Sequence, residues 1–186
     1  VTLQNVITSV FGGQIGLNGM VSTKKKTPKF NMDLGLNKVD IAQTFTQLDM
    51  LKKIAPIAGA VSGKLNSTIK LSGNLNANEM TPDLKTISGD LLGQLLSTTV
   101  NSSNSTLLSA LDSNIKFIDL KKLNLNDLKA AVSFKDGKVT VKPFDIKYQD
   151  IKATIGGTHG FDQAMNYNIK FDVPAKYLGT EANALI

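Results

Sequence analysis

Along most of the chain, apolar and polar residues alternate one by one. The clearest run is 65–75, in which Leu65, Ile69 and Leu71 are separated by polar residues such as Asn66 and Lys70. Because successive side chains of a β-strand point to opposite faces, this pattern predicts strands with one apolar and one polar face. The same alternation recurs at 15–21, 30–36, 130–134, 139–148, 151–155 and 167–173.

The segments between these runs read as turns. Asp136-Gly137 separates two alternating runs and favours the positive φ angles of a tight hairpin. A polar break occupies 24–28, and Gly156-Gly157 with Gly160 predicts another break. Successive hairpins place sequence neighbours side by side, so we expect a mainly β, α+β fold: a curved antiparallel meander of about seven to nine strands with one apolar face.

Two segments change to a helical period, near 40–55 and near 104–123. Asp40 is suited to cap a helix, and Ile41, Phe45 and Leu48 then follow at helical spacing up to Pro56. A second helix is expected over 105–115, and a short helical turn at 119–123. We expect these helices to pack on the sheet or at its end, within a single domain of residues 1–186.

Composition narrows the function classes. The 186 residues carry a net charge of +6, and all 21 basic residues are lysine. Base-edge and phosphate recognition usually relies on arginine forks, so nucleic acid is not expected as a partner. The chain has no cysteine, which excludes disulfides and thiolate chemistry. No run of residues is long and apolar enough to span a bilayer, so any anchoring segment is expected outside this sequence.

Candidate catalytic residues are scattered. The sole histidine, His159, has no other histidine or cysteine to share a metal with and is expected at a strand end or in a loop. The carboxylates form no motif, and several have local roles as caps or turn residues. Lys24-Lys25-Lys26 is the one basic run, which fits either a solvated hairpin or contact with anionic headgroups. We therefore expect no enzyme activity, no cofactor and no metal.

The apolar face raises the main functional question. It is either a core sealed by the helices, or a partly covered groove that accepts acyl chains. The residues predicted to line such a groove are Ile15, Leu17, Phe30, Met32, Leu34, Leu65, Ile69, Leu71, Val132, Phe134, Ile155, Ile169 and Phe171.

An ordered set of glycine-centred strand motifs spans nearly the whole chain. One is Leu71-Ser72-Gly73-Asn74-Leu75, and the others lie at 11–19, 34–41, 61–65, 125–139 and 156–174. Together they resemble the C-terminal region of the AsmA family, the bacterial envelope proteins related to TamB.

The resemblance implies a cellular setting that periodicity does not show. Such proteins are periplasmic, are tethered to the inner membrane of Gram-negative bacteria, and form curved sheets with an apolar groove linked to phospholipid movement toward the outer membrane. The family supplies no catalytic residues. Two functions follow as expectations: phospholipid binding or transfer, or a protein-interaction module that assists outer-membrane protein assembly by strand pairing.

Overall fold

A computed structural model describes residues 1–47, 60–101, 106–114, 118–161 and 164–177. It contains one sheet of nine antiparallel strands in the order in which they occur along the chain, which confirms the predicted meander. The strands are β1 (Thr2–Val10), β2 (Gly13–Ser22), β3 (Lys29–Asp40), β4 (Val61–Asn74), β5 (Ser88–Val100), β6 (Lys129–Lys135), β7 (Lys138–Tyr148), β8 (Ile151–Gly160) and β9 (Met165–Asp172).

Two short α-helices were expected and are present. They are α1 (Ile41–Gln47) and α2 (Thr106–Asn114), and single 3-10 turns follow at Leu84–Thr86, Leu120–Lys122 and Ala175–Tyr177. The Asp40 carboxylate accepts the Gln43 N–H at 2.9 Å, as a helix cap does. Pro56, expected to end the first helix, lies outside the described residues, as do Leu48 and residues 102–105.

The antiparallel meander gives the sheet two different ends. One, here called the helical end, carries α1, α2 and the 3-10 turn Leu120–Lys122. The opposite end, here called the turn end, carries the β2–β3, β4–β5, β6–β7 and β8–β9 connections. At the turn end, Asp136 and Gly137 both have positive φ, which fits the tight hairpin predicted there.

β5, like β1, is a strand that alternation did not mark. It has leucines on both faces: Leu91 and Leu95 point to the apolar side, whereas Leu92 points outward and is exposed. Apolar residues at consecutive positions remove the period-two signal, although the strand pairs normally with β4 and β6.

Bulges interrupt the sheet register, and three of them share a feature that sequence reasoning did not predict. In each, a backbone N–H at the bulge donates to the side-chain oxygen of an asparagine that is distant in sequence but lies beside the bulge. The pairs are Asn5 with Asn18 (2.7 Å), Lys38 with Asn66 (2.9 Å) and Thr98 with Asn126 (2.7 Å). Bulges increase strand twist, and these asparagines satisfy the N–H that each bulge removes from the ladder.

The expected break at Gly156-Gly157 is wrong, because both glycines lie inside β8. A Cβ at Gly157 would lie 2.4 Å from the Asn166 carbonyl oxygen on β9. The glycine therefore permits close strand approach and does not end the strand.

Candidate functional site: an apolar cavity at the helical end

Residues paired across the strands form continuous apolar rows on one face of the sheet. One row runs from Leu34 through Ile69, Leu91 and Val132 to Val141 on five consecutive strands. Directly paired residues in an antiparallel sheet point to the same face, so the apolar residues of each strand lie beside the apolar residues of its neighbour. The result is an apolar surface that crosses the sheet.

A cavity of about 340 Å³ lies over this face, toward the helical end. Strands β3 to β9 form its floor, and α1, α2 and the segment 118–128 form its roof. The floor residues include Leu36, Leu65, Ile69, Leu91, Leu95, Ala130, Val132, Phe144, Ile146, Ile155, Tyr167, Ile169 and Phe171. The roof residues among those described are Ile41, Phe45, Leu108, Ile118, Leu120, Leu123, Leu125 and Leu128.

The lining carries almost no polar chemistry. Among the residues that the structure describes, its polar side chains are Ser67, Tyr148 and Tyr167, and no histidine or charged residue belongs to it. The Ser67 hydroxyl donates to the Leu92 carbonyl at 2.9 Å, so it is already bonded within the sheet. Such walls attract hydrocarbon and cannot compensate the desolvation of an ion.

Six of the thirteen predicted groove residues line the cavity. These are Leu65, Ile69, Val132, Ile155, Ile169 and Phe171. The other seven, Ile15, Leu17, Phe30, Met32, Leu34, Leu71 and Phe134, are not among the lining residues. Leu71 and Phe134 are buried in the core, and Leu17 is half-buried on β2. Ile15, Phe30, Met32 and Leu34 are half-buried and pack against the core cluster.

Ile15 and Leu17 lie on β2, outside the strands β3 to β9 that form the floor. Toward the turn end, the chain fills the same face differently. There the β4–β5 connection places Ile87, which has no exposed surface, into a cluster with Leu71, Phe134 and Val139. Phe161 packs against this cluster from the β8–β9 connection. We call this region the packed half, and the region over the cavity the hollow half.

Most of the roof was missed from the sequence. The segment 118–128 contributes Ile118, Leu120, Leu123, Leu125 and Leu128, apolar residues spaced two or three apart. That spacing fits neither the period of a strand nor that of an α-helix, so periodicity did not identify this segment as part of the roof. The expected helical turn within it, Leu120–Lys122, is present, and Asp119 caps it by accepting the Lys121 N–H at 3.1 Å.

His159 is the second-last residue of β8 and is only 3% exposed. Its Nδ1 lies 2.9 Å from the hydroxyl oxygen of Tyr167 on β9. Burial raises the pKa of the Tyr167 hydroxyl. Tyr167 lines the cavity in the hollow half, and its hydroxyl is hydrogen-bonded to His159. This pair therefore links the cavity wall on β9 to the buried histidine on β8. Within the described residues, no group of three histidine or carboxylate side chains is placed to hold a metal ion.

A polar cluster fastens the last described segment to the helical end. The Tyr177 hydroxyl lies 2.6 Å from Asp150 Oδ1 and 2.8 Å from Gln149 Oε1, and Lys176 forms an ion pair with Asp150. The hydrogen bond from Lys176, together with that from Tyr177, holds the pKa of Asp150 below its usual value. Tyr177 also packs against the cluster of Ile118, Leu120 and Ile151, all of which line the cavity.

Comparison of the chain with protein-family models, with curated proteins and with solved structures gives no match. The AsmA resemblance stays a prediction. In the part of the chain that the structure describes, no helix has both the length and the apolar character needed to cross a membrane.

Proposed function

We propose that this domain is a non-enzymatic, periplasmic lipid-binding module that takes up acyl chains of phospholipid in the hollow half. The observation that supports this most is the cavity itself, whose described lining residues are all apolar except for Ser67, Tyr148 and Tyr167. The resemblance to the AsmA family would place the domain between the two membranes of a Gram-negative envelope, tethered to the inner one through a segment outside this chain.

The size of the cavity suits this ligand class. Its volume of about 340 Å³ lies within the range of small-molecule sites, roughly 300–1,000 Å³. An apolar cavity of about 150 Å³ already stays dry and binds benzene. Each methylene group moved from water into such walls contributes about 0.8 kcal/mol, so even part of an acyl chain would bind measurably.

The roof covers the floor without packing tightly against it. Some floor residues, such as Leu95, Val132 and Ile169, are half-buried, although others, such as Ile69 and Ile151, are buried. The cavity of about 340 Å³ shows that space is retained beneath α1 and the segment 118–128. That space supports a role in holding a ligand, because a face with only a structural role would close as the packed half does.

A direct test compares two phenylalanine substitutions on neighbouring residues of β6. Ala130 lines the cavity, whereas Ala131 points to the outer face opposite Leu92. We expect the unmodified domain to bind a fluorescent fatty acid and to retain phospholipid in native mass spectrometry. Ala130→Phe should fill the cavity and weaken binding at least about tenfold, which corresponds to the loss of roughly two buried methylene groups. Ala131→Phe should leave binding unchanged.

Both variants must first show a β-sheet circular dichroism spectrum and a urea unfolding midpoint close to that of the unmodified domain. A domain that binds no acyl chain, or a folded Ala130→Phe variant that binds as well as the unmodified domain, would refute the proposal.

A second function, strand pairing with an outer-membrane protein, is favoured by one specific observation. β1 is an edge strand with no charged residue, and it exposes Leu3, Val6 and Ile7, the last at 71%. At the opposite edge, β9 carries Lys170 and Asp172, which form an ion pair at 3.6 Å. Natural edge strands are usually protected by charge or proline, so β1 is the edge suited to accept another strand.

Strand pairing is tested separately from lipid binding. Val6→Lys with Ile7→Lys should abolish binding of an unfolded outer-membrane barrel, measured by fluorescence anisotropy, while Ala130→Phe should retain it. Binding that is lost in Ala130→Phe and kept in the lysine variant would reject β1 as the interaction site.

A further inference from the structure

The turn end of the sheet carries a net positive charge. Seven of the 21 lysines lie in or beside its connections: Lys24, Lys25, Lys26, Lys29, Lys85, Lys135 and Lys138. By chain position, the carboxylates of the same connections are Glu79, Asp83, Asp136 and Asp162. Seven lysines against four carboxylates give this end a charge of +3, half of the net +6 of the chain.

Contacts between the connections bring these lysines together. Lys135 pairs directly with Lys138 across the β6–β7 hairpin. A Cβ at Gly137, in the turn between them, would lie 3.4 Å from the Lys85 Cα, so the β4–β5 connection touches this hairpin. The Leu75 N–H of the β4–β5 connection donates to the Pro28 carbonyl at 2.8 Å, so the β2–β3 connection also contacts the β4–β5 connection.

Three lysines toward the helical end form ion pairs. Toward the helical end, Lys122, Lys152 and Lys176 are paired with Asp119, Asp145 and Asp150. Within the residues that the structure describes, no carboxylate oxygen lies within 4.0 Å of the Nζ of any of the seven turn-end lysines. Their charge is therefore available to an external anion.

Exposed apolar side chains accompany these lysines. Met80 lies in the β4–β5 connection with a positive φ and is exposed, as are Met165 at the start of β9 and Met20 near the end of β2. Flexible apolar side chains among lysines are typical of surfaces that bind at the headgroup boundary of a bilayer.

We propose that the turn end docks on the surface of an anionic lipid bilayer. The lysines would contact lipid phosphates, and Met80 and Met165 would enter the boundary between headgroups and acyl chains. Lysine is a compact point charge that suits a diffuse anionic surface, whereas the lack of arginine disfavours nucleic acid. This docking is independent of the cavity, since the hollow half lies toward the other end of the sheet.

Vesicle flotation tests the proposal with charge-matched variants. The turn-end variant replaces Lys24, Lys25, Lys26, Lys135 and Lys138 with glutamine. The control variant replaces Lys70, Lys121, Lys129, Lys142 and Lys147, which are also exposed, and has the same net charge. We expect the unmodified domain to float with phosphatidylglycerol-containing vesicles at low salt and not with pure phosphatidylcholine.

Binding should weaken by about fivefold for each lysine removed from the docking surface. The turn-end variant should therefore stay with the soluble fraction, while the control variant floats, and Met80→Ser with Met165→Ser should lower binding further at high salt. Equal loss in both charge variants would show that net charge alone is responsible and would overturn the assignment to this end. The proposal also fails if the domain ignores anionic vesicles, or if single-stranded DNA competes it off them. Ala130→Phe should float normally, which separates this result from failure of lipid uptake.

Discussion

The packed half and the hollow half occupy the same face of the same strands, yet one is filled and the other holds a cavity of about 340 Å³. On β4, Leu71 is 4% exposed beneath the β4–β5 connection, whereas Leu65 is half-buried and lines the cavity. Both are leucines with the same orientation. What differs is the segment that covers each of them.

The covering segments explain the difference. In the packed half, Ile87 and Leu84 come from a connection that is itself paired to the sheet, through the Asp83 N–H and the Asn74 carbonyl at 2.9 Å. In the hollow half, the roof is made of α1, α2 and the irregular segment 118–128, which lie over the strands of the floor and leave a cavity beneath them. Alternation along a strand therefore predicts an apolar face, but the connections decide whether that face becomes core or cavity.

The largest expected effect compares Leu71→Ala with Leu65→Ala. Removing Leu71 leaves a void in a close-packed cluster and should cost about 2–5 kcal/mol of unfolding free energy. Removing Leu65 enlarges a space that already exists, so its cost should be about 1–2 kcal/mol, close to the transfer term alone. Urea denaturation of both variants measures the two values.

Equal losses at the two leucines would mean that the halves are packed alike, and the distinction between them would be abandoned. As a further control, acyl-chain binding should persist in Leu65→Ala, because that substitution leaves the cavity apolar.

Much of this architecture was predictable because it depends on local patterns. The one-sided strands, the Asp136-Gly137 hairpin and the Asp40 cap all follow from neighbouring residues, and the structure contains each of them. The roof was not predictable in the same way. Its leucines at 118–128 come from a segment without regular period, and their position over the floor depends on contacts distant in sequence.

Two other features escaped prediction for physical reasons. β5 was hidden because Leu91 and Leu92 face opposite sides of the sheet, which erases alternation. The bulges at Lys38 and Ser97 involve a side-chain amide from another part of the chain, Asn66 of β4 or Asn126 of the segment 118–128, and a single asparagine in the sequence gives no sign of that role.

A second comparison uses two glycines of β5. Gly89 lies in the packed half, opposite Leu71, and has φ +148°; a Cβ there would lie 1.9 Å from the Lys70 carbonyl oxygen. Gly93 lines the cavity, and a Cβ there would meet only the Leu91 and Leu65 side chains, at 3.6 and 3.7 Å. We expect Gly89→Ala to destabilise by more than about 2 kcal/mol, because backbone must move.

Gly93→Ala should instead stabilise the domain by up to about 0.5–1 kcal/mol, because alanine has less freedom to lose on folding. Thermal denaturation of both variants shows whether each substitution raises or lowers the melting temperature. If Gly89→Ala were as stable as the unmodified domain, the close approach of β4 and β5 in the packed half would be disproved.

The smallest expected effect concerns the cluster that fastens 174–177 beside the hollow half. Lys176 and Tyr177 hold the pKa of Asp150 below its ordinary 3.8, so the ionised form is favoured in the folded state. The resulting stabilisation is present above the ordinary pKa and is lost as pH falls through the lowered folded value. Asp150→Asn should therefore be slightly less stable than the unmodified domain at pH 7, and this difference should shrink below pH 4.

Urea midpoints at several pH values between neutral and acid give the measurement, with Asp90→Asn as the control because Asp90 is an exposed carboxylate on β5. The effect should be modest because the ion pair is solvent-accessible and screened by salt. A difference between the Asp150→Asn variant and the unmodified domain that persisted unchanged through acid pH would assign its cause to packing of Tyr177 against the cluster of Ile118, Leu120 and Ile151, not to the charge of Asp150. In that case the hollow half would be closed at this end by hydrophobic contact alone.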